Sequence, residues 1–153
     1  MKGISKSFRR VCLVGAVVGA LVGVSVPAAY AQSLWSAYFT FSVSGYTYGD
    51  KAAVTVFADG SGATARATLD GVTRSPNCLA TDAILWNGSW HVMSETGYSY
   101  NSYTTYTWTC VTFPKVTNHG LYQSQGSTKV KRDDGTWYTH YTSGTDALRN
   151  PLP

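Results

Sequence analysis

The sequence predicts an all-β protein: a small single-domain β-sandwich, or alternatively a small barrel, of about 7–8 antiparallel strands with one disulfide, after a cleaved signal peptide. Three observations support this prediction. After residue 31, apolar side chains recur with a period of two rather than 3.6. Turn-forming residues separate these runs at intervals of roughly ten residues. The same part of the chain holds an even pair of cysteines, Cys78 and Cys110, which is typical of a disulfide in an exported protein.

The first 31 residues have the three-part layout of a secretory signal peptide. Basic residues precede an apolar run over 11–26, and Ala29 and Ala31 supply the small residues of a cleavage site before Gln32. A membrane anchor is the alternative, but the run of about sixteen residues is shorter than the roughly twenty that a bilayer span needs. We therefore expect residues 1–31 to be removed and residues 32–153 to be secreted as one extracellular β-domain without a stable membrane anchor.

Removal of this segment changes the charge of the protein. The formal net charge of +4 comes from twelve Lys and Arg against eight Asp and Glu, and four of the basic residues lie within residues 1–31. The secreted domain is therefore formally neutral. A basic excess would have indicated nucleic acid or an anionic membrane as the partner, so we expect no nucleic-acid partner.

The first half of the domain predicts three strands. Apolar residues occupy the odd positions of 35–43, which predicts a strand with one buried face. The run 52–58 is apolar on both faces, which predicts a central strand. A turn at 59–62 leads into 63–70, where alanines and Leu69 alternate with polar residues, and the two strands should form a hairpin.

The second half begins with the strongest local signal. Asn87-Gly88 separates two apolar runs, which predicts a two-residue type I′ turn with Leu85 opposite Trp90.

Further strands are expected over 102–113, 121–132 and 136–142, with a loop at 95–101, a turn at 133–135 and an irregular tail at 146–153. The disulfide should lie beside Trp108 and stabilise the fold by roughly 3 to 4 kcal/mol.

Recognisable catalytic signals are missing from the sequence. No nucleophile elbow, zinc-ligand spacing, EF-hand or phosphate-binding loop is present, so we expect no cofactor and no metal. The best catalytic arrangement would place Asp82 near His91 across the Asn-Gly hairpin. A polar outer face of that hairpin is the favoured explanation of both residues, and the balance is against an enzyme.

Tyrosine-rich stretches are the best candidates for a binding surface, because Tyr and Trp give rigid amphipathic contact area. The candidate residues are Tyr100, Tyr103, Tyr122, Trp137, Tyr138 and Tyr141. The alternative is that several are core or cross-strand partners. The alternating charges over 129–134 fit either binding or protection of an edge strand against aggregation.

These features resemble small secreted bacterial proteins in general, without indicating a family. We expect a secreted, non-enzymatic interaction module, such as a subunit or accessory of an extracellular antibacterial complex, or an inhibitor. Its partner would be a protein or a surface glycan. One alternative is carbohydrate or cell-wall binding through an aromatic platform around Trp137 and Tyr141, and another is a small toxin or hydrolase with an unfamiliar site.

Overall fold

The computed structural model describes residues 31–113 and 115–151, and these residues contain strands but no helix. In chain order the strands are β1 (Ala31–Trp35), β2 (Phe39–Val43), β3 (Tyr46–Phe57), β4 (Ala63–Arg74), β5 (Leu79–Asn87), β6 (Val92–Glu95), β7 (Ser99–Tyr100), β8 (Thr105–Val111), β9 (Gly120–Lys131), β10 (Trp137–Tyr141) and β11 (Leu148–Asn150). The predicted signal peptide lies outside the described residues except for Ala31.

The strands form two antiparallel sheets. In sheet A, β3 and β4 are central, β1 and β2 share the edge beside β3, and β8 forms the other edge. In sheet B, β9 and β5 are central, β10 and β11 share the edge beside β9, and β6 and β7 share the edge beside β5. The all-β prediction is confirmed, and neither sheet closes into a barrel within the described residues.

The predicted number of strands is wrong, because the structure has eleven rather than about 7–8. The difference arises at the sheet edges, where three positions are each filled by two short strands that pair with successive parts of one long strand. A sequence pattern read strand by strand does not show such interruptions.

The interior lies between the sheets and contains two apolar clusters. One is built around Val54, Leu85 and Tyr122, and the other around Leu69 and Val130. The predicted alternation in β4 is confirmed, since its alanines and Leu69 are fully buried. The prediction of a central strand over 52–58 is confirmed by β3, which pairs on both sides.

Two predicted turns are present. At the β3–β4 hairpin, the Ser61 amide donates to the Asp59 carboxylate at 2.8 Å, and Gly60 has a positive φ of 70°. At the β9–β10 hairpin, Gly135 has a φ of 85° and its amide donates to the carbonyl of Arg132. Both turns use the conformational freedom of glycine that the sequence indicated.

The predicted turn at Asn87-Gly88 is wrong in its length. Asn87 pairs with His91, and Trp90 rather than Gly88 has a positive φ, of 60°. The Asn87 side-chain oxygen accepts hydrogen bonds from the amides of Ser89 and His91, both at 2.9 Å. These bonds favour a three-residue loop that ends in a left-handed residue. Leu85 consequently lies opposite Ser94 instead of Trp90.

The predicted disulfide is not formed, and Cys78 and Cys110 are free thiols. Cys110 lies in sheet A with its sulfur 3.4 Å from the Thr96 hydroxyl oxygen, which also accepts the Ala83 amide. Cys110 therefore lies at the same height in the sandwich as Ala83 of β5. Cys78 precedes Ala83 by five residues. Five residues of strand span roughly 16 Å, far more than the roughly 7 Å between α-carbons that a disulfide tolerates.

Three further predictions need correction. The tail is not entirely irregular, because β11 pairs with the first residues of β9. The expected loop at 95–101 includes the short strand β7. The predicted strand over 35–43 is interrupted at residues 36–38, and this break reverses which side chains face inward.

Candidate functional site

The outer face of sheet B collects four aromatic side chains and one lysine from three segments of the chain. Lys129 of β9 and both Trp137 and Tyr141 of β10 lie on this face, because they alternate with residues that point into the core. Tyr98 and Tyr100, which precede β8, extend over the same face. We call these five residues the Tyr–Trp surface.

Contacts between side chains hold the Tyr–Trp surface together. The Tyr100 and Trp137 rings meet edge to face with centroids 5.5 Å apart and an interplanar angle of 68°. The Tyr98 hydroxyl is 2.7 Å from the hydroxyl of Ser127, which lies opposite Tyr141 in the sheet. Such mutual packing orders the rings before any partner arrives, which reduces the entropy lost on binding.

Lys129 places a positive charge inside this aromatic group. Its ammonium nitrogen lies 3.5 Å from the centroid of the Tyr98 ring, the geometry of a cation–π contact. Among the described residues, no carboxylate lies within 4 Å of this ammonium group. The surface therefore combines apolar area with one cation that forms no direct ion pair within the described residues.

The outer parts of the Tyr–Trp surface are open to solvent. Tyr141 is 69% exposed and Tyr100 is 44% exposed, while Trp137 and Tyr98 are half-buried. Large aromatic side chains exposed together on a sheet are typical of a contact surface rather than of a core.

The other sequence candidates lie elsewhere. Tyr122 is buried, its hydroxyl donates to the carbonyl of Asn118 at 2.7 Å, and burial raises the pKa of Tyr122. Tyr138 points into the interior and stacks on Phe41. Tyr103 packs edge to face on Trp108, away from the Tyr–Trp surface.

The structure thus brings together three of the six sequence candidates, Tyr100, Trp137 and Tyr141. Sequence reasoning missed Tyr98 and Lys129 as partners of these rings. Tyr98 lies two residues before Tyr100, so the spacing indicates that both side chains lie on the same face. Lys129 could be placed there only from the β9–β10 register, in which it lies two residues from the position opposite Trp137.

A second exposed feature is a groove of about 760 Å³ on the outer face of sheet A. Three of its lining residues, Trp35, Arg66 and Val111, lie in one row of the sheet, joined through Ala53 of β3. Trp35 was expected on the buried side with Phe41, but the break at residues 36–38 turns it outward, and it is 48% exposed. No pattern in the sequence indicates this reversal.

The proposed catalytic pair, Asp82 and His91, is not brought together. The Asp82 carboxylate accepts a hydrogen bond from the Thr96 hydroxyl at 3.0 Å, and His91 is exposed at the hairpin loop. Burial raises the pKa of Asp82, and the nearby Glu95 carboxylate raises it further. Neither residue is arranged as a base beside a nucleophile.

A different histidine contacts a carboxylate inside the molecule. His140 Nδ1 lies 2.9 Å from Asp50 Oδ2, and the Thr128 hydroxyl donates to the same oxygen at 2.6 Å. Within the described residues, His140 has no hydrogen bond to a Ser, Thr or Cys side chain. The pair joins sheet A to sheet B and lacks the nucleophile that a catalytic triad requires.

Residues 31–113 and 115–151 contain no group of three or more His, Cys, Asp or Glu side chains that could hold a metal ion. Across the same ranges, no helix has the length and apolar character needed to cross a membrane. In comparisons with known proteins, no family model, no curated protein and no solved structure matches the chain significantly.

Proposed function

We propose that the chain is a secreted, non-enzymatic binding module that holds a protein partner through the Tyr–Trp surface. The observation that carries this proposal is the convergence of four rings and Lys129 from three separate segments on one open sheet face. Residues that served only the core would point inward, as Tyr122 and Tyr138 do. The signal-peptide pattern of residues 1–31 supports export of the module.

The chemistry of the surface fits a protein better than a glycan. Tyr and Trp are among the residues enriched at the centres of protein interfaces. A sugar ring stacks on an open, flat aromatic face. Here Lys129 covers one face of Tyr98, and Tyr100 and Trp137 meet edge to face, so the surface is ridged rather than flat.

A capture experiment with the exported chain tests the proposal. Wild-type protein, a Trp137→Ala/Tyr141→Ala variant and a Tyr106→Ala control serve as bait in the culture supernatant of the source organism. Tyr106 is a matched control because it is 62% exposed but lies on β8 of sheet A. We expect one partner to be retained by wild type and control. The double variant should bind it at least about 30-fold more weakly, since each anchor ring contributes about 2 kcal/mol.

Two results would contradict the proposal. One is equal retention of the partner by the double variant and by wild type. The other is recovery of the chain as a free monomer together with retention on neutral cell-wall polysaccharide that is lost in the double variant, because that result would assign the surface to a glycan.

A further inference from the structure

The groove on the outer face of sheet A has the features of a ligand site separate from the Tyr–Trp surface. Its volume of about 760 Å³ falls within the range of about 300–1,000 Å³ typical of small-molecule sites. Trp35 and Phe57 lie toward the β1 edge, and Val111 and Phe113 lie toward the β8 edge. The groove therefore has apolar groups along both sides.

The apolar groups are unusually open to solvent. Phe113 is 91% exposed and Val111 is 42% exposed. Trp35 lies across the groove from them, with Thr55, Thr64 and Arg66 between the two apolar sides, on a sheet face whose backbone groups are already paired in the sheet. A ligand here must be held by its apolar surface and by side chains, because the interior of a sheet face offers no free backbone hydrogen bonds.

Three cations accompany this apolar lining. The Lys51 ammonium lies 4.5 Å from the Trp35 ring centroid, the Arg66 guanidinium lies 5.9 Å from the same ring, and the Lys115 ammonium lies 4.9 Å from the Phe57 ring. Aromatic contacts of this kind hold cations in place without neutralising them.

Acids near the groove offset only part of this charge, because Asp59 interacts electrostatically with Lys115. Within the described residues, none of the three cations lies within 4 Å of a carboxylate. Asp59 occupies the β3–β4 turn and accepts the Ser61 amide, and Asp70 accepts a hydrogen bond from the Thr107 hydroxyl at 2.6 Å. The groove thus has a local positive charge, although the domain as a whole is formally neutral.

From this combination we infer that the groove binds a single-chain amphiphilic anion, with its apolar chain along Val111 and Phe113 and its acidic head at Arg66. The inference goes beyond the proposed function, because it concerns the opposite sheet and another class of ligand. Arg66 is suited to the head group because its planar guanidinium can bind a carboxylate through two parallel hydrogen bonds.

Calorimetric titration with three matched ligands tests the inference. Laurate carries both chain and charge, dodecyl maltoside carries the same chain length without charge, and acetate carries the charge without the chain. We expect laurate to bind the full chain at 1:1 below its micelle concentration, more strongly than either control ligand. Its affinity should fall as salt is raised, because salt screens exposed charges.

Variants assign the site. Arg66→Gln should weaken laurate binding by about tenfold or more. Val111→Glu should abolish it by placing a carboxylate on the groove wall. Arg149→Gln is the matched control, since Arg149 is exposed on β11 of sheet B, and it should bind laurate as wild type does.

The inference would be overturned if laurate and dodecyl maltoside bound equally well. It would also be overturned if the Arg66→Gln variant were folded and bound laurate as the wild type does. Sedimentation with phosphatidylglycerol vesicles distinguishes a free ligand from a membrane surface. Binding to these vesicles without binding of monomeric laurate would also overturn it, in favour of a membrane-docking face.

Discussion

Asp50 is a fully buried carboxylate on β3 that connects the two sheets. Its Oδ2 accepts the Thr128 hydroxyl and contacts His140 Nδ1, both of which belong to sheet B. Its Oδ1 has no hydrogen-bond partner in the described part of the chain. A buried acid is tolerated only where other polar groups compensate for lost water, so this carboxylate depends on its two partners.

His140→Ala should therefore destabilise the protein by about 2 kcal/mol, because it leaves the buried carboxylate with one partner and removes the ring that stacks on Phe41 at 4.4 Å. Urea unfolding measures the change. His91→Ala is the control, since His91 is exposed, and it should change the free energy of unfolding by less than about 0.5 kcal/mol. Equal effects of the two substitutions would show that the His140–Asp50 contact contributes nothing.

At the scale of one strand, β9 shows how closely the sheets approach. A β-carbon added at Gly126 would lie 2.3 Å from the Asp82 carbonyl oxygen and 2.8 Å from the β-carbon of Ala67 on the facing sheet. Small residues at this crossing, including Ala65 and Ala83, leave no space for a methyl group. Gly126 is required here by packing rather than by a positive φ.

Gly126→Ala should consequently destabilise the fold by roughly 1–3 kcal/mol, the usual effect of overpacking a core. Gly144→Ala is the matched control, because a β-carbon at Gly144 meets nothing within 4 Å. Thermal unfolding of the two variants measures the difference. A Gly126→Ala protein as stable as the control would mean that the sheets can separate slightly at no cost.

Strands predicted from a clean alternation, such as β4, were found where expected, because one buried face fixes the register of a strand. Predictions failed where a side chain changed the local backbone. The Asn87 side chain accepts hydrogen bonds from two loop amides and so favours a longer β5–β6 loop. The interruption between β1 and β2 turns Trp35 outward. Neither effect alters the alternation pattern, so the pattern could not reveal it.

The candidate site was predictable to the same extent. Trp137 and Tyr141 are separated by four residues on one strand, so their shared face follows from the sequence. The contribution of Tyr98 and Tyr100 depends on how the segment between β6 and β8 crosses sheet B, which is a tertiary property. The groove likewise requires the register of four strands, and no local pattern contains that information.

For the whole molecule, Cys110 lies in sheet A, Cys78 precedes the first residue of β5 in sheet B, and the two remain unpaired. The sandwich is therefore held by its shared core and by the Asp50 cluster, with no covalent link between Cys78 and Cys110. Both proposed binding sites lie on outer faces, so a partner on either face need not disturb the interior that holds the sheets together.

The urea midpoint should accordingly be the same with and without a phosphine reductant. Cys78→Ser should also leave it within experimental error, since Cys78 is only partly buried. Alkylation of the unfolded, unreduced protein followed by peptide mass spectrometry should label both Cys78 and Cys110. If the two sulfurs were bonded, reduction would lower stability by roughly 2–4 kcal/mol and neither thiol would be labelled. That result would require β5 and β8 to be shifted relative to each other. In the present packing, Cys78 lies five residues of strand, roughly 16 Å, before the level of Cys110.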